Sequence, residues 1–195
     1  MSKKDQIKWN KKFSEKANLL EQREASNHLQ NIINDGKGKI ALDLACGAGR
    51  NTLFLAKKGF KIFALDISNI ALDTVEKLVQ KENVEDLVHT SLSDLDEFAP
   101  EMPLYDLIIM SNYLDRDLIQ RAKVGLKKDG LFFIETYMDD INNEKKDSNP
   151  DYLLKKEELK SFFIDGYEEI FYDEFDNESY EMYRMKKQII VVKKL

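Results

Sequence analysis

The sequence predicts an α/β fold in which five helix-linked parallel strands are followed by an antiparallel hairpin. Three observations predict it. From Lys39 onward short apolar runs alternate with helical stripes, so each strand returns through a helix and pairs parallel to its neighbour. A turn of small residues, Cys46 to Gly49, joins the first apolar run to a helix start. Near the end, 167–175 and 186–193 read as strands separated only by an irregular acidic loop. That is too little chain for a helical crossover, so they pair antiparallel.

The elements follow in order. Residues 1–20 carry Lys3, Lys4, Lys8, Lys11, Lys12 and Lys16, with Trp9 and Phe13 four apart on one helical face. The segment reads either as a solvated helix packing its aromatics on the body or as part of a helical flap, 1–36, over a site. Ala25, Leu29, Ile32 and Ile33 give a second helical stripe that stops near Gly36 and Gly38. Ile40–Leu44 is the first strand and 51–58 the first helix, closed by Gly59. The second strand, 61–65, ends in Asp66. Ser68 or Asn69 caps the next helix, which runs through Lys81 with Ala71, Val75, Leu78 and Val79 on one stripe. Residues 87–91 form a weaker third strand. The strongly apolar 105–110 is the fourth, backed by a helix over 117–126. Residues 127–130 turn into the fifth strand, 131–137. The stretch 138–154 is a polar, aperiodic loop insertion near the site, and 153–164 reads as a helix.

Composition narrows the class. The 195 residues suit a single domain with a full core, and 43% hydrophobic content with only 3 prolines describes a globular chain. A net charge of −6 argues against nucleic acid as a partner. No apolar run approaches the ~20 residues of a membrane span, and the first residues lead into no secretory core. A lone cysteine, Cys46, excludes an internal disulfide and suits the cytoplasm. Nothing indicates the oligomeric state. His28 and His89 fall within a helix and a strand, where structural roles are expected, and no histidine–carboxylate spacing suggests a metal site.

Ligands of open α/β sheets lie outside the carboxyl ends of the strands. Asp43, Asp66, Asp94 and the Ser111-Asn112-Tyr113 run all fall there. Asp66 lies seventeen residues after Gly49, near the ~20 expected of an acid that accepts from both hydroxyls of a ribose. A dinucleotide turn requires a third glycine, and that place holds Thr52. Asp43 would repel pyrophosphate but attract an ammonium group. A ligand with an amino-acid cation, a ribose diol and no phosphate fits better, and S-adenosylmethionine is such a ligand.

The run Asp43-Leu-Ala-Cys-Gly47-Ala-Gly49-Arg50-Asn51 resembles the first motif of class I S-adenosylmethionine-dependent methyltransferases. Its continuation through Ala56 to Gly59-Phe60 resembles the small tellurite-resistance-type subgroup. Leu65-Asp66-Ile67-Ser68, Ser93-Asp94-Leu95, Tyr105-Asp106-Leu107-Ile108 and Pro150-Asp-Tyr-Leu-Leu154 extend the resemblance from about Trp9 over nearly the whole chain. It implies a Rossmann-like seven-stranded sheet with helices on both faces. It also implies a set of site roles. Asp43, Ala45, Gly47 and Gly49 would hold the methionine part of the cofactor, and Arg50 would either meet its carboxylate or pair on the surface. Asp66 would bind the ribose, Ile67 flank the adenine, Asp94 reach the adenine amino group and Leu95 supply a backbone contact. Ser111 and Asn112 would line the cofactor near its sulfonium. Ala45 stands where many such enzymes have glycine, and Asp129 replaces a glycine at a remote turn.

The expected reaction is methyl transfer to a small-molecule acceptor. A nucleotide-dependent oxidoreductase and a non-catalytic cofactor-binding module are the alternatives. Tyr113, Arg116, Glu135 and Tyr137 are the candidate acceptor contacts, with Trp9 and Phe13 as flap contacts. The acidic run from Asp165 to Glu181 contains no basic residue and reads either as part of the site, predicting a neutral or cationic acceptor rather than an anion, or as a solvated hairpin facing away from it.

Overall fold

The structure, a computed structural model, describes residues 3–195. Met1 and Ser2, the start of the expected 1–36 flap, lie outside the described residues. Seven strands form one sheet in the order β3-β2-β1-β4-β5-β7-β6. The strands are β1 (Ile40–Leu44), β2 (Lys61–Asp66), β3 (Val88–Leu92), β4 (Tyr105–Ser111), β5 (Leu126–Tyr137), β6 (Tyr167–Asp176) and β7 (Lys186–Lys194). The first five pair parallel, and β7 pairs antiparallel with both β5 and β6. The helices are α1 (Lys3–Glu15), α2 (Asn27–Ile32), α3 (Arg50–Lys57), α4 (Asn69–Lys81), α5 (Arg116–Ala122) and α6 (Glu158–Ser161). Among the described residues no helix is long and apolar enough to cross a membrane.

The period-2 pattern of the strands sorts the core into two layers. Leu42, Leu44, Ile108 and Met110 face α5 and α6, where Leu118, Ile119 and Leu159 are wholly buried. Ala41, Ile62, Leu107 and Ile109 face the other way, against Leu29 of α2 and Leu55 of α3. Strand order runs outward from β1 to β3 and then crosses back to β4, so the sheet reverses between β1 and β4.

Two elements differ from expectation. β5 begins at Leu126, which pairs with Tyr105 before the register jumps to Leu107 opposite Leu131. The expected 127–130 turn survives as an irregularity inside this strand, with Asp129 at φ +63°. Accordingly α5 stops at Ala122 and a 3-10 turn, Lys123–Gly125, leads into the strand. The helix expected over 153–164 shrinks to Glu158–Ser161. Leu154 is drawn into a parallel bridge with Met138: its N–H donates to the Tyr137 carbonyl, and its carbonyl accepts from Asp139. Glu157 then takes a left-handed φ of +57° just before the short helix.

Candidate active site

At the carboxyl end of β1 the chain reverses sharply. Ala45 and Gly47 both take left-handed backbone, at φ +57° and +55°. Gly49, the residue before α3, takes φ +83°, and a Cβ there would stand 2.8 Å from Cγ2 of Val75 in α4. The turn thus presses closely on its neighbours, the close approach that glycine permits. Two carboxylates flank it. Asp43 is 2% exposed, and its Oδ2 accepts from the Thr52 hydroxyl at 2.6 Å. Burial pushes the Asp43 carboxyl up to about 7; the Thr52 bond opposes the rise and the charge of Asp66 adds to it. Asp66 accepts from the Gly47 N–H at Oδ2 and from the Ser68 N–H at Oδ1, both at 2.9 Å. Burial raises its pKa as well, against those backbone bonds.

A cavity of about 330 Å³ opens over this turn. Its floor includes Asp43, Ala45, Gly47, Gly49 and Arg50. Asp66, Ile67 and Leu95, and Ser111, Asn112, Tyr113 and Tyr137, line it too. Trp9, Lys12 and Phe13 of α1 also line it. That helix is tied down by Asn10, whose side chain accepts from the Ser68 hydroxyl and donates to Asn69 Oδ1, each at 2.7 Å. A second cavity of about 780 Å³ adjoins the first. Trp9, Lys12, Asn112, Tyr113, Tyr137 and Glu181 border both.

Three expected residues line neither cavity. Asp94 folds back, its Oδ1 accepting from the Asp96 N–H. Arg116 spends its guanidinium on Glu158, at 2.6 Å, and on the carbonyls of Asp151 and Leu153, fastening α5 to the 150–158 segment. Glu135 is fully buried and accepts from the Ser26 hydroxyl at 2.5 Å, with His28 Nδ1 at 3.3 Å.

The β6–β7 connection brings residues that the sequence reading missed. Arg50 donates to Tyr180 Oη at 2.5 Å and to Glu178 at 3.4 Å. Lys187 of β7 is 0% exposed and donates to Glu178 at 2.6 Å and Glu181 at 2.9 Å. Tyr137 donates its hydroxyl to Glu181. Burial and that carboxylate push the Tyr137 phenol well up. Against the upward push of burial, Lys187 holds the Glu178 carboxyl below its usual range. The missing signal was register: Tyr137 and Lys187 are paired across β5 and β7, which no local pattern reveals.

Two wall residues keep unused hydrogen-bonding capacity. Among the described residues, Arg50 Nη2 and Ser111 Oγ are buried without a partner, as is Glu135 Oε1 away from the cavity. A buried donor without an acceptor is costly, and a ligand carboxylate or hydroxyl relieves that cost.

A parallel sheet closed by an antiparallel hairpin, with a glycine turn and Asp66 around one cavity at the switch point, is the class I S-adenosylmethionine-dependent methyltransferase fold. Within that class the chain belongs to the family of tellurite resistance protein TehB, whose family model matches residues 6–175. It is 27% identical over 117 residues to a ubiquinone biosynthesis O-methyltransferase of Actinobacillus pleuropneumoniae, covering 56% of this chain and 50% of that protein. The structure of TehB from Haemophilus influenzae superposes with a TM-score of 0.72 at 21% identity, over 87% of this chain and 60% of that one. An S-adenosylmethionine-dependent methyltransferase from Methanosarcina mazei gives 0.71 at 14% identity, over 89% and 99%. At such identities the likeness establishes the fold. The chain spans about half the length of three curated relatives it matches.

Proposed function

We propose that the protein transfers the methyl group of S-adenosylmethionine to a small-molecule acceptor, in the cytoplasm. The observation that carries this reading is Asp66. Two backbone N–H groups hold its carboxylate rigidly on the wall of the first cavity, one of them donated by the glycine turn itself. A carboxylate fixed in this way is preorganised to accept from a ribose diol.

The remaining walls fit the cofactor. Arg50 would turn its unpartnered Nη2 to the methionine carboxylate, and Asp43 would attract the ammonium group. Ile67 and Leu95 would flank the adenine. Asp94 would reach the adenine amino group only after leaving its turn on Asp96. Ser111 and Asn112 would stand near the sulfonium. When bound, the cofactor supplies an electrophilic methyl on a good leaving group, so the protein's task is to align the acceptor and exclude water. α1 and the β6–β7 connection, whose Trp9, Phe13 and Tyr180 line the cavity, would cover the bound cofactor for that purpose. No feature favours a dinucleotide: the place of a third glycine holds Thr52, committed to Asp43.

Calorimetry tests the reading. S-adenosylhomocysteine is expected to bind at micromolar concentration and NAD not at all. Asp66→Asn is expected to weaken S-adenosylhomocysteine about tenfold or more, the cost of losing hydrogen bonds to a charged acceptor, while the circular dichroism of the fold persists. NAD binding with no S-adenosylhomocysteine binding overturns the proposal. Binding with no methyl transfer to any acceptor indicates a non-catalytic module.

A further inference from the structure

We propose that the second cavity takes an organic acceptor with a flat aromatic body and an acidic substituent, its ring against the tyrosines and its acid among lysines of α1 and the 138–149 loop. The inference rests on the methyl-transfer reading and deepens it.

Size is the first argument. The cavity of about 780 Å³ lies within the roughly 300–1,000 Å³ of sites for drug-sized organic molecules. A bare metalloid oxyanion has a few heavy atoms and fills the room of about two or three waters at ~30 Å³ each. Such an ion would leave most of this space to solvent, and solvent beside the methyl group defeats an alignment mechanism.

The walls are the second argument. Tyr113 and Tyr137 line both cavities, and Tyr152 and Tyr183 line the second. Of the second cavity's lining, Tyr152 is 60% exposed, Tyr183 45% and Met182 81%. Aromatic faces with an adaptable thioether suit a planar ring, and clustered apolar surface of this kind marks a binding site.

Charge is the third. Lys8 and Lys12 are one helical turn apart on α1, and Lys145 lies on the loop; all three line the cavity. Burial and the charges of Lys16, Lys145 and Lys8 all lower the proton affinity of Lys12, so the ammonium groups sit in mutual repulsion that an anion would relieve. Two of the lining carboxylates, Asp115 and the Glu181 that borders both cavities, are already engaged. Asp115 caps α5 through the Leu118 N–H, and Glu181 accepts from Lys187 and Tyr137. Asp5, Asp96 and Asp147 also line the cavity, so the grouping of the lysines, not net charge, sets the place of the acid. The acidic C-terminal run suggested the opposite preference, but its Glu178 and Glu181 are neutralised by Arg50 and Lys187.

Thiosalicylate (2-mercaptobenzoate) is a suitable probe. Its thiolate would form the new S–C bond as the sulfonium C–S bond breaks. The breaking bond's electron pair stays on the donor sulfur, both charges vanish and no proton moves. The full chain is first titrated with S-adenosylhomocysteine. Methyl transfer is then compared for thiosalicylate, thiophenol and tellurite. Quenching of Trp9, the protein's one tryptophan and a wall of both cavities, reports probe binding without turnover. Thiosalicylate is expected to exceed both others in kcat/KM by about tenfold, the range of one charge-assisted contact. The double variant Lys8→Met/Lys145→Met should erase most of its advantage over thiophenol, in KM and in Trp9 quenching alike. Equal KM for the two thiols, preference for tellurite, or an advantage untouched by the double variant overturns the inference while S-adenosylhomocysteine binding upholds the reading beneath it. Absence of that binding removes both.

Discussion

Asp43 shows what burying a carboxylate beside a cavity costs a protein. It sits at the end of a buried strand with one hydroxyl donor, and burial outweighs that bond. Its carboxyl titrates near 7 in the folded chain against an ordinary 3.8, so between those pH values the folded state holds more protons than the unfolded one. The stability this residue contributes therefore falls as pH rises from 3.8 to about 7 and is level above, at about 1.4 kcal/mol per pKa unit at most. Asp43→Asn is expected to lose less melting temperature between pH 5 and pH 8 than the native chain, while binding S-adenosylhomocysteine more weakly. Parallel melting-temperature profiles would show that Asp43 is already ionised at pH 5. This acid, with Gly47, Gly49 and Asp66, was legible in the sequence because strand, turn and acid are neighbours there. The partners of Arg50 were not. Glu178 and Tyr180 lie 128 and 130 residues away in sequence, and only the hairpin's register delivers them to the site.

Among the elements, the strand–turn–helix unit from β1 to α3 depends most on one backbone choice. Gly49 combines φ +83° with a Cβ direction blocked by Val75 at 2.8 Å, whereas Gly47, at φ +55°, has nothing within 4 Å. Gly49→Ala is expected to cost about 1–3 kcal/mol through strain and overpacking, and Gly47→Ala about 1 kcal/mol through strain alone. Thermal melts would give the order, and equal losses would show that α4 yields easily to the added methyl. The same element logic explains which parts of the fold could be read in advance. β1, β2, β4 and β7 are dense apolar runs, and α4 has both a serine cap and a continuous stripe, so local pattern decided them. The short α6 could not be read this way. Its sequence carries helical periodicity, but pairing of Leu154 with the end of β5 claims the backbone first. In β5 a positive φ at Asp129 lets the strand absorb a turn without ending.

Across the whole molecule, ligand and fold are coupled because the first cavity is assembled from distant segments: α1, the β1–α3 turn, the ends of β2 and β4, and the β6–β7 connection. None of these holds the sheet together alone, yet each contributes a wall, so a molecule filling the cavity binds only the folded arrangement. Linkage then fixes the size of the response. Ligand at one hundred times its dissociation constant adds about 2.7 kcal/mol to folding stability. For a chain of this length each kcal/mol moves the melting temperature by about 2–4 °C. S-adenosylhomocysteine at that excess is therefore expected to raise the melting temperature by about 5–10 °C. NAD at the same concentration should leave it in place. Removing Trp9 and Phe13 from the lining, as Trp9→Ala/Phe13→Ala, should reduce the shift if α1 lies over the ligand, since part of the binding surface goes with them. A full shift in that variant would mean that α1 rests beside the ligand rather than over it.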